Sequence, residues 1–446
     1  MRKYISSIFS GSTPTHLLAR GSLVSFIIQG SGAALIFLAE IILARILGAQ
    51  GYGLFATVMA SLQVLVMVAL LGSNNLLLRF VPIFSGTADW SHLRGLVRHC
   101  SLISLTLGIS IFSAATLLLV VVIGDRISTD TSWAFLIGMA ILPVAALSLQ
   151  RQSILRGLHF VAAALSPELI VRPLVLMSLV AGLTWGLGKS VSAPMALAMN
   201  GLAVLVAFLL GNYWLRRAMP AGVMASPHSV RIHEWLRIAV PLFLIAGLQL
   251  LIVRLDIMLL GVLSGHEQAG HYAAASRIGD LIVFALASAN IIVGPLIAGL
   301  HARNDIAGMQ RMLVTLSKGV MLLTVPLVLV IVLFGRSILG FFGGEYVSAY
   351  VPLLILVCGQ LINALSGPVD FVMAMTGQQV KMMQILVLAA GLNLALNFAL
   401  IPQFGLIGAA SATAITTAFW NIYMRYIVLK RLGVDASVLI LLGRRV

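Results

Sequence analysis

Polar positions along this chain come in short clusters, and the apolar runs between them are long. "GSLVSFIIQGSGAALIFLAEIILARIL" (21–47) is typical: two charges, Glu40 and Arg45, sit in a run otherwise built from aliphatic, aromatic and small residues. About 20 mainly apolar residues make a helix that crosses a bilayer. Twelve runs meet that length, near 21–47, 53–82, 99–123, 132–155, 163–187, 191–215, 236–263, 270–300, 312–334, 349–374, 380–401 and 405–429. The longest polar interval, "RRAMPAGVMASPHSVRIHEWLR" (216–237), falls between the sixth and seventh runs, and no stretch reads as a separate soluble domain. The pattern predicts an all-α, polytopic membrane protein of twelve transmembrane helices.

Composition agrees with that class. Hydrophobic residues make up 60% of the 446 and charged residues 9%, against about 25% charged in an ordinary soluble domain. Mean hydropathy is +1.08. The net charge of +15 would suit a nucleic-acid binder, but the basic residues lie between apolar runs with no folded basic module around them. Nucleic acid is therefore not expected as a partner; the bilayer is. With the N-terminal tail taken as one side, eighteen Lys and Arg, Arg151 and Arg156 among them, fall on that side, and only Arg126, Lys189 and Arg336 on the other. That asymmetry predicts an even number of spans with both termini in the cytoplasm. "MRKYISSIFSGSTPTHLLAR" (1–20) has no continuous apolar core of the cleavable kind. Cys100 and Cys358 read as packing residues, with no CxxC and no ligand set nearby.

A repeat is visible between the halves. "EIILARILGAQGYGLFA" (40–56) aligns with "DIMLLGVLSGHEQAGHYA" (256–273): each opens on an acid and ends in Gly-x-aromatic-Ala, with one residue inserted in the second copy. "ILRGLHFVAAAL" (154–165) aligns with "AMTGQQVKMMQI" (374–385). Copies of six spans each share one orientation, which predicts two six-helix lobes related by an axis along the membrane normal. The expected division is 1–217 for the N-terminal lobe, 218–238 for a cytoplasmic linker and 239–446 for the C-terminal lobe.

Charges inside the runs are the candidate chemistry, because each is costly to hold in hydrocarbon. Besides Glu40 and Arg45 they are Arg79, Glu168, Arg172, Arg254, Asp256, Arg277, Asp280 and Asp370. Glu168 and Arg172 are four apart and Arg277 and Asp280 three apart, spacings that allow pairing on one helix. Arg254 and Asp256 are two apart, and Glu40 and Arg45 five apart, so each must look elsewhere. Arg45, Arg79 and Arg254 are candidates to line a cationic cleft, with Arg277 as a further member beyond its pairing. Guanidinium stays charged and grips phosphate oxygens in pairs, so the guest expected there is a phosphate-bearing lipid headgroup. Glu40 and Asp256, one per half, are candidates to hold a proton or cation and couple transport to a gradient. A cation-coupled exporter of small molecules is the alternative, although aromatics form only 7% of the chain. Gln29, Asn74, Asn75, Gln249, Asn290, Asn363, Asn393 and Asn397 offer many positions for sugar specificity without ranking themselves. There is no HExxH, no P-loop and no nucleophile elbow, so no metal, cofactor, catalytic residue or enzyme activity is expected.

Three stretches carry a family resemblance. "EIILARILGAQGYGLFA" (40–56) resembles the first helix and loop of Wzx-type oligosaccharide flippases, and "SILRGLHFVAAALSPELIVRPLVL" (153–176) resembles that family's junction between the fourth and fifth spans. "GPVDFVMAMTGQQVKMMQILVLAAGLNLALNFALIPQFGLIGAASATAI" (367–415) is similar to its C-terminal half. The resemblance implies the fold of the multidrug-and-toxin-extrusion and lipid II flippase transporters, working by alternating access around a cationic cavity. It implies a bacterial inner-membrane protein that turns an undecaprenyl-pyrophosphate-linked oligosaccharide to the outer leaflet. The product would feed O-antigen, capsule or exopolysaccharide assembly, with a polysaccharide polymerase and other assembly proteins as further partners.

Overall fold

The computed structural model describes residues 14–123, 128–227, 229 and 232–438, the side chains of 14–24, 122–123, 232–234, 236–238 and 284–295 excepted. Among the basic residues of the expected asymmetry, Arg2, Lys3, Arg126, Arg231, Arg444 and Arg445 lie outside the described residues, as do the side chains of Arg20 and Arg237, and so does the side chain of Asn290, one of the sugar-specificity candidates.

Helices supply all the regular structure of the described residues. In chain order they are α1 (Pro14–Leu70), α2 (Ser73–Gly86), α3 (Trp90–Leu118), α4 (Thr129–Ala140), α5 (Leu142–Gly157), α6 (Val161–Ser166), α7 (Arg172–Ala181) and α8 (Ala193–Ala218). The short α9 (Ala221–Ala225) follows, then α10 (Ile232–Leu263), α11 (His266–Ala302), α12 (Ile306–Gly340), α13 (Tyr350–Ser366), α14 (Val369–Met375) and α15 (Gln379–Leu432). Nine stretches of the described residues are long and apolar enough to cross a membrane. Two of them, α1 and α15, fold back across a glycine, at Gly48 and Gly405, which makes eleven passes. The 37-residue α11 supplies the twelfth. Among the described residues this gives the expected helix count, and the chain is an all-α, multi-pass membrane protein.

The reversals follow from residue chemistry. Gly48 (φ 66°) and Gly405 (φ 51°) take left-handed backbone that a side chain would strain. A Cβ on Gly405 would also strike the Gln268 side chain. Just past Gly48 the backbone N–H of Ala49 donates to Glu345 Oε1 at 2.8 Å, so a carboxylate caps the new helical segment.

The same local geometry recurs at a nearly constant offset. Gly48 and Gly265 both open helices in left-handed backbone. Ala88 (φ 55°) and Asn304 (φ 56°) each precede an Asp N-cap. Asp89 accepts from the His92 N–H at 3.2 Å, and Asp305 from the Gly308 N–H at 2.7 Å. The turn at His159 (φ 67°) has its counterpart at Gly377 (φ 77°). The repeat therefore reaches down to turn conformation.

Two compact units result, Met1–Ile46 with Leu65–Phe243, and Leu47–Val64 with Leu244–Val446. In the first, Leu76, Leu77, Phe80, Leu93, Leu96 and Ile154 form a core that includes Cys100. Part of the expected linker is held against this unit: Val223 is buried in that core. Arg94 donates to the carbonyls of Met224 and Ser226 at 2.9 and 2.5 Å. The second unit has its own core, with Leu313, Val369, Met382, Leu386 and Met424. Cys358, expected to pack, is instead exposed on α13. Its neighbours Val357 and Gly359 take the buried positions of that turn. Outward faces carry large apolar side chains such as Leu117, Val120, Leu322 and Leu333, all above 60% exposed, a surface suited to lipid.

Candidate functional site

Asp256 on α10 is 1% exposed in an apolar helix of the second unit. Three chain segments converge on it. Tyr272 Oη from α11 donates to Oδ2 at 2.7 Å, and Thr413 Oγ1, beyond the Gly405 reversal of α15, donates to the same oxygen. Asn397 Nδ2, before that reversal, donates to Oδ1 at 2.7 Å. Asn393, one turn earlier, shares a hydrogen bond with Asn397 at 3.1 Å. The break at Gly405 thus brings two parts of one helical hairpin onto one carboxylate. An ionised carboxylate in this setting is tolerable only because donors replace its water. The amide groups also keep unused capacity: Asn397 Oδ1 and Asn393 Nδ2 are buried with no hydrogen-bond partner among the described residues. Carboxylate, hydroxyl and amide oxygens together suit a proton or a small hard cation.

Beside Asp256 lies a cavity of about 160 Å³, lined within the same unit by Ser276, Asp280, Gln360, Asn363 and Trp420. Asp280 is 3.6 Å from Arg277 on the same helix, the pairing that their spacing of three predicts.

The remaining sequence candidates are distributed as follows. Glu40, Arg45 and Arg79 belong to the first unit, and Arg254, Asp256 and Arg277 to the second. Arg45 is exposed on α1 and Glu40 half-buried; each, like Arg254, has an interaction partner. Arg79 is exposed, its guanidinium 5.8 Å from the centre of the Phe80 ring. Asp370 is spent locally: its Oδ1 accepts from the Phe371 N–H at 2.9 Å in the first turn of α14.

Glu168 and Arg172 also pair, at 3.9 Å, but as part of a larger set. Arg151, expected on the cytoplasmic side, is 2% exposed inside the first unit and lies 3.5 Å from Glu168. Its Nη1 donates to the carbonyls of Ala207 and Phe208, and Gly211 leaves the space that its guanidinium fills. Arg172 donates to Asn200 Oδ1 at 3.0 Å. Glu168 occupies a π-helical turn, Pro167–Val171, whose extra residue re-aims the carboxylate toward both arginines. Sequence reading missed Arg151 because it stands near the end of an apolar run, where a long basic side chain is expected to reach the headgroups. The polar triplet "QRQ" (150–152) was the available signal.

Comparison with known proteins places this geometry. The fold is shared with a multidrug-resistance MATE family transporter of the MOP superfamily in its inward-facing conformation. That match has a TM-score of 0.75 over 92% of this chain and 98% of the transporter, at 15% identity. It is shared with the lipid II flippase MurJ (TM-score 0.68, 92% of this chain and 87% of MurJ, 15% identity). A MOP superfamily transporter from Pyrococcus furiosus matches at TM-score 0.67 over 96% of this chain and 97% of its own, again at 15% identity. In sequence, 166 residues, 37% of the chain, are 27% identical to Agl15 of Haloferax volcanii, a probable low-salt glycan biosynthesis flippase, and the match spans 35% of that relative. Residues 18–301 match the family described as polysaccharide biosynthesis protein, and the chain, matched over more than half its length, belongs to that family.

Proposed function

We propose that this protein is a flippase of the bacterial inner membrane, with both termini cytoplasmic. It turns a polyprenyl-pyrophosphate-linked oligosaccharide, carried on undecaprenol, to the outer leaflet for surface polysaccharide assembly. The observation that carries this reading is the coincidence of family and fold: a chain of a polysaccharide biosynthesis family is folded throughout as a MOP-type transporter. In this reading Arg45, Arg79, Arg254 and Arg277 serve the diphosphate, the group that guanidinium holds best. Asp256 and its oxygen-rich surroundings take up the coupling proton or cation, and Glu40, its counterpart in the repeat, serves the first half in the same way. Alternating access then exposes the head group to each leaflet in turn. A polysaccharide polymerase and other assembly proteins would receive the product.

The test is surface polysaccharide in cells expressing Arg45→Ala or Arg254→Ala at normal protein levels. Both variants should lose it, and unchanged glycan output from both would remove the cationic-cleft argument.

A second reading, a cation-coupled exporter of small cationic molecules, is favoured by one observation: the cavity beside Asp256 combines two carboxylates with an indole. It predicts dye efflux that depends on Asp256 and is indifferent to polyprenyl lipid.

A further inference from the structure

We infer that the cavity of the second unit is a saccharide subsite, seating one neutral pyranose ring of the transported head group on Trp420 with Gln360, Asn363 and Ser276 as hydrogen-bond partners. The inference rests on the flippase reading and narrows it, because it separates where the sugar is held from where the diphosphate is held.

Size sets the first limit. The cavity of about 160 Å³ is about ten times the roughly 10–15 Å³ that one water needs, enough to admit a sugar ring. Charge sets the second. Asp256 and Asp280 both border the cavity, so a diphosphate would meet like charge. Both acids also carry partners of their own. Asp256 accepts from Tyr272, Asn397 and Thr413, and Asp280 lies beside Arg277. Beyond these pairs the walls are neutral and largely apolar, Val283 and Leu356 among them, and the polar groups are few.

The pattern of neutral groups is the third point. Gln360 and Asn363 stand one turn apart on α13, joined by a bond from Asn363 Nδ2 to Gln360 Oε1 at 3.2 Å. That bond uses the carbonyl of Gln360 and one N–H of Asn363. The Gln360 NH2 and the Asn363 carbonyl take no part in it, which leaves a donor beside an acceptor. Neighbouring ring hydroxyls each donate and accept, and such a pair matches them. The Ser276 hydroxyl comes from α11, and the Trp420 indole supplies an apolar plane for the C–H face of the ring, with a polar edge. A flat cation would use the indole and make no use of the Gln360 NH2 or the Asn363 carbonyl.

The experiment uses the full chain in nanodiscs with its six tryptophans fluorinated. Fluorine NMR assigns Trp420 by the resonance absent from a Trp420→Phe variant. The probe is the phosphate-free oligosaccharide released by mild acid from the source cell's own polyprenyl-diphosphate pool. The Trp420 resonance should shift saturably, and Gln360→Ala should weaken that binding about tenfold, as loss of a polar contact does. If the probe leaves Trp420 unmoved while proteoliposomes still flip the intact lipid-linked glycan, the subsite is wrong and the flippase reading stands. If the intact glycan is not flipped and a cationic dye such as ethidium moves Trp420, the flippase reading fails and the subsite with it.

Discussion

Asn397 Nδ2 stands 2.7 Å from Asp256 Oδ1 although 141 residues separate them in the chain, and both are buried to 1% exposure or less. Such a bond has little value to stability alone, since an apolar pair of the same shape would pack as well. Its use is to hold a carboxylate ready in a dry place. Asp256→Asn should therefore fold and insert, yet flip lipid-linked glycan in proteoliposomes at the background rate and ignore an imposed proton or sodium gradient. Asn397→Ala keeps the acid and removes its support, which should weaken apparent cation affinity by about 10–100-fold. Gradient-driven transport by Asp256→Asn would separate this carboxylate from coupling.

Gly53 and Gly270 occupy equivalent positions in the two repeats and meet each other's helices. A Cβ on Gly53 would run into the His266 carbonyl oxygen, and one on Gly270 into the Ala49 carbonyl oxygen. The exchange is reciprocal, so neither backbone can retreat without disturbing the other. Gly53→Val and Gly270→Val should each destabilise the protein by about 1–3 kcal/mol or more through overpacking, seen as a lower unfolding temperature in detergent. Gly30→Ala is the control, because a Cβ there meets nothing within 4 Å. Equal melting of all three would mean that the contact is loose.

The membrane class, the twelve passes and the repeat were legible because they depend on long apolar runs and on glycines, which leave marks in sequence. The alignment of Glu40 with Asp256 singled out the buried acid that Tyr272, Asn397 and Thr413 hold. The spacing of four between Asn393 and Asn397, both inside an apolar run, was a usable sign of a shared helix face. Tyr272 and Thr413 left no sign: their roles come from helices brought together only by tertiary packing. Nor could the sequence show that 47–64 packs with the second unit while 65–70 of the same helix stays with the first. That division follows from close backbone approach at Gly53 and at Gly261, where a Cβ would press on Thr57. Arg151 was misread because burial of an arginine depends on carbonyl acceptors from a helix far along the chain.

Glu168 serves two arginines of unequal burial, Arg151 at 2% and Arg172 at 31% side-chain exposure. Removing the shared carboxylate leaves the buried guanidinium with backbone carbonyls alone. Glu168→Gln should cost about 3 kcal/mol, the scale for a buried pair that loses one member. Arg172→Gln should cost less than about 1 kcal/mol, the scale for an exposed pair. Thermal denaturation of the two purified variants reads the order directly. A larger loss for Arg172→Gln would assign the weight of the network to Asn200 and not to Arg151.

Asp435 lies past the last helix and holds the C-terminal segment to the second unit. Arg425 donates to it from Nε at 3.1 Å and Nη2 at 2.8 Å, and the Ser437 N–H donates to Oδ1 at 2.9 Å. Gln310 brackets its backbone, accepting from the Asp435 N–H and donating to the Asp435 carbonyl. Partial burial pushes the carboxyl pKa up, but the bonds from Arg425 and Ser437 outweigh it and hold the group below its usual 3.8. A carboxyl that is more acidic folded than unfolded stabilises the fold above the unfolded value and loses that contribution as pH falls through the folded one. Asp435→Asn should thus lower stability at pH 7 by about 2 kcal/mol, the scale of a hydrogen-bonded charged group. The gap between variant and parent should narrow as pH drops below about 4. Melting temperatures of both proteins from pH 7 to pH 3 test this, and a gap that stays constant across the range would show that the Asp435 charge contributes nothing beyond its shape.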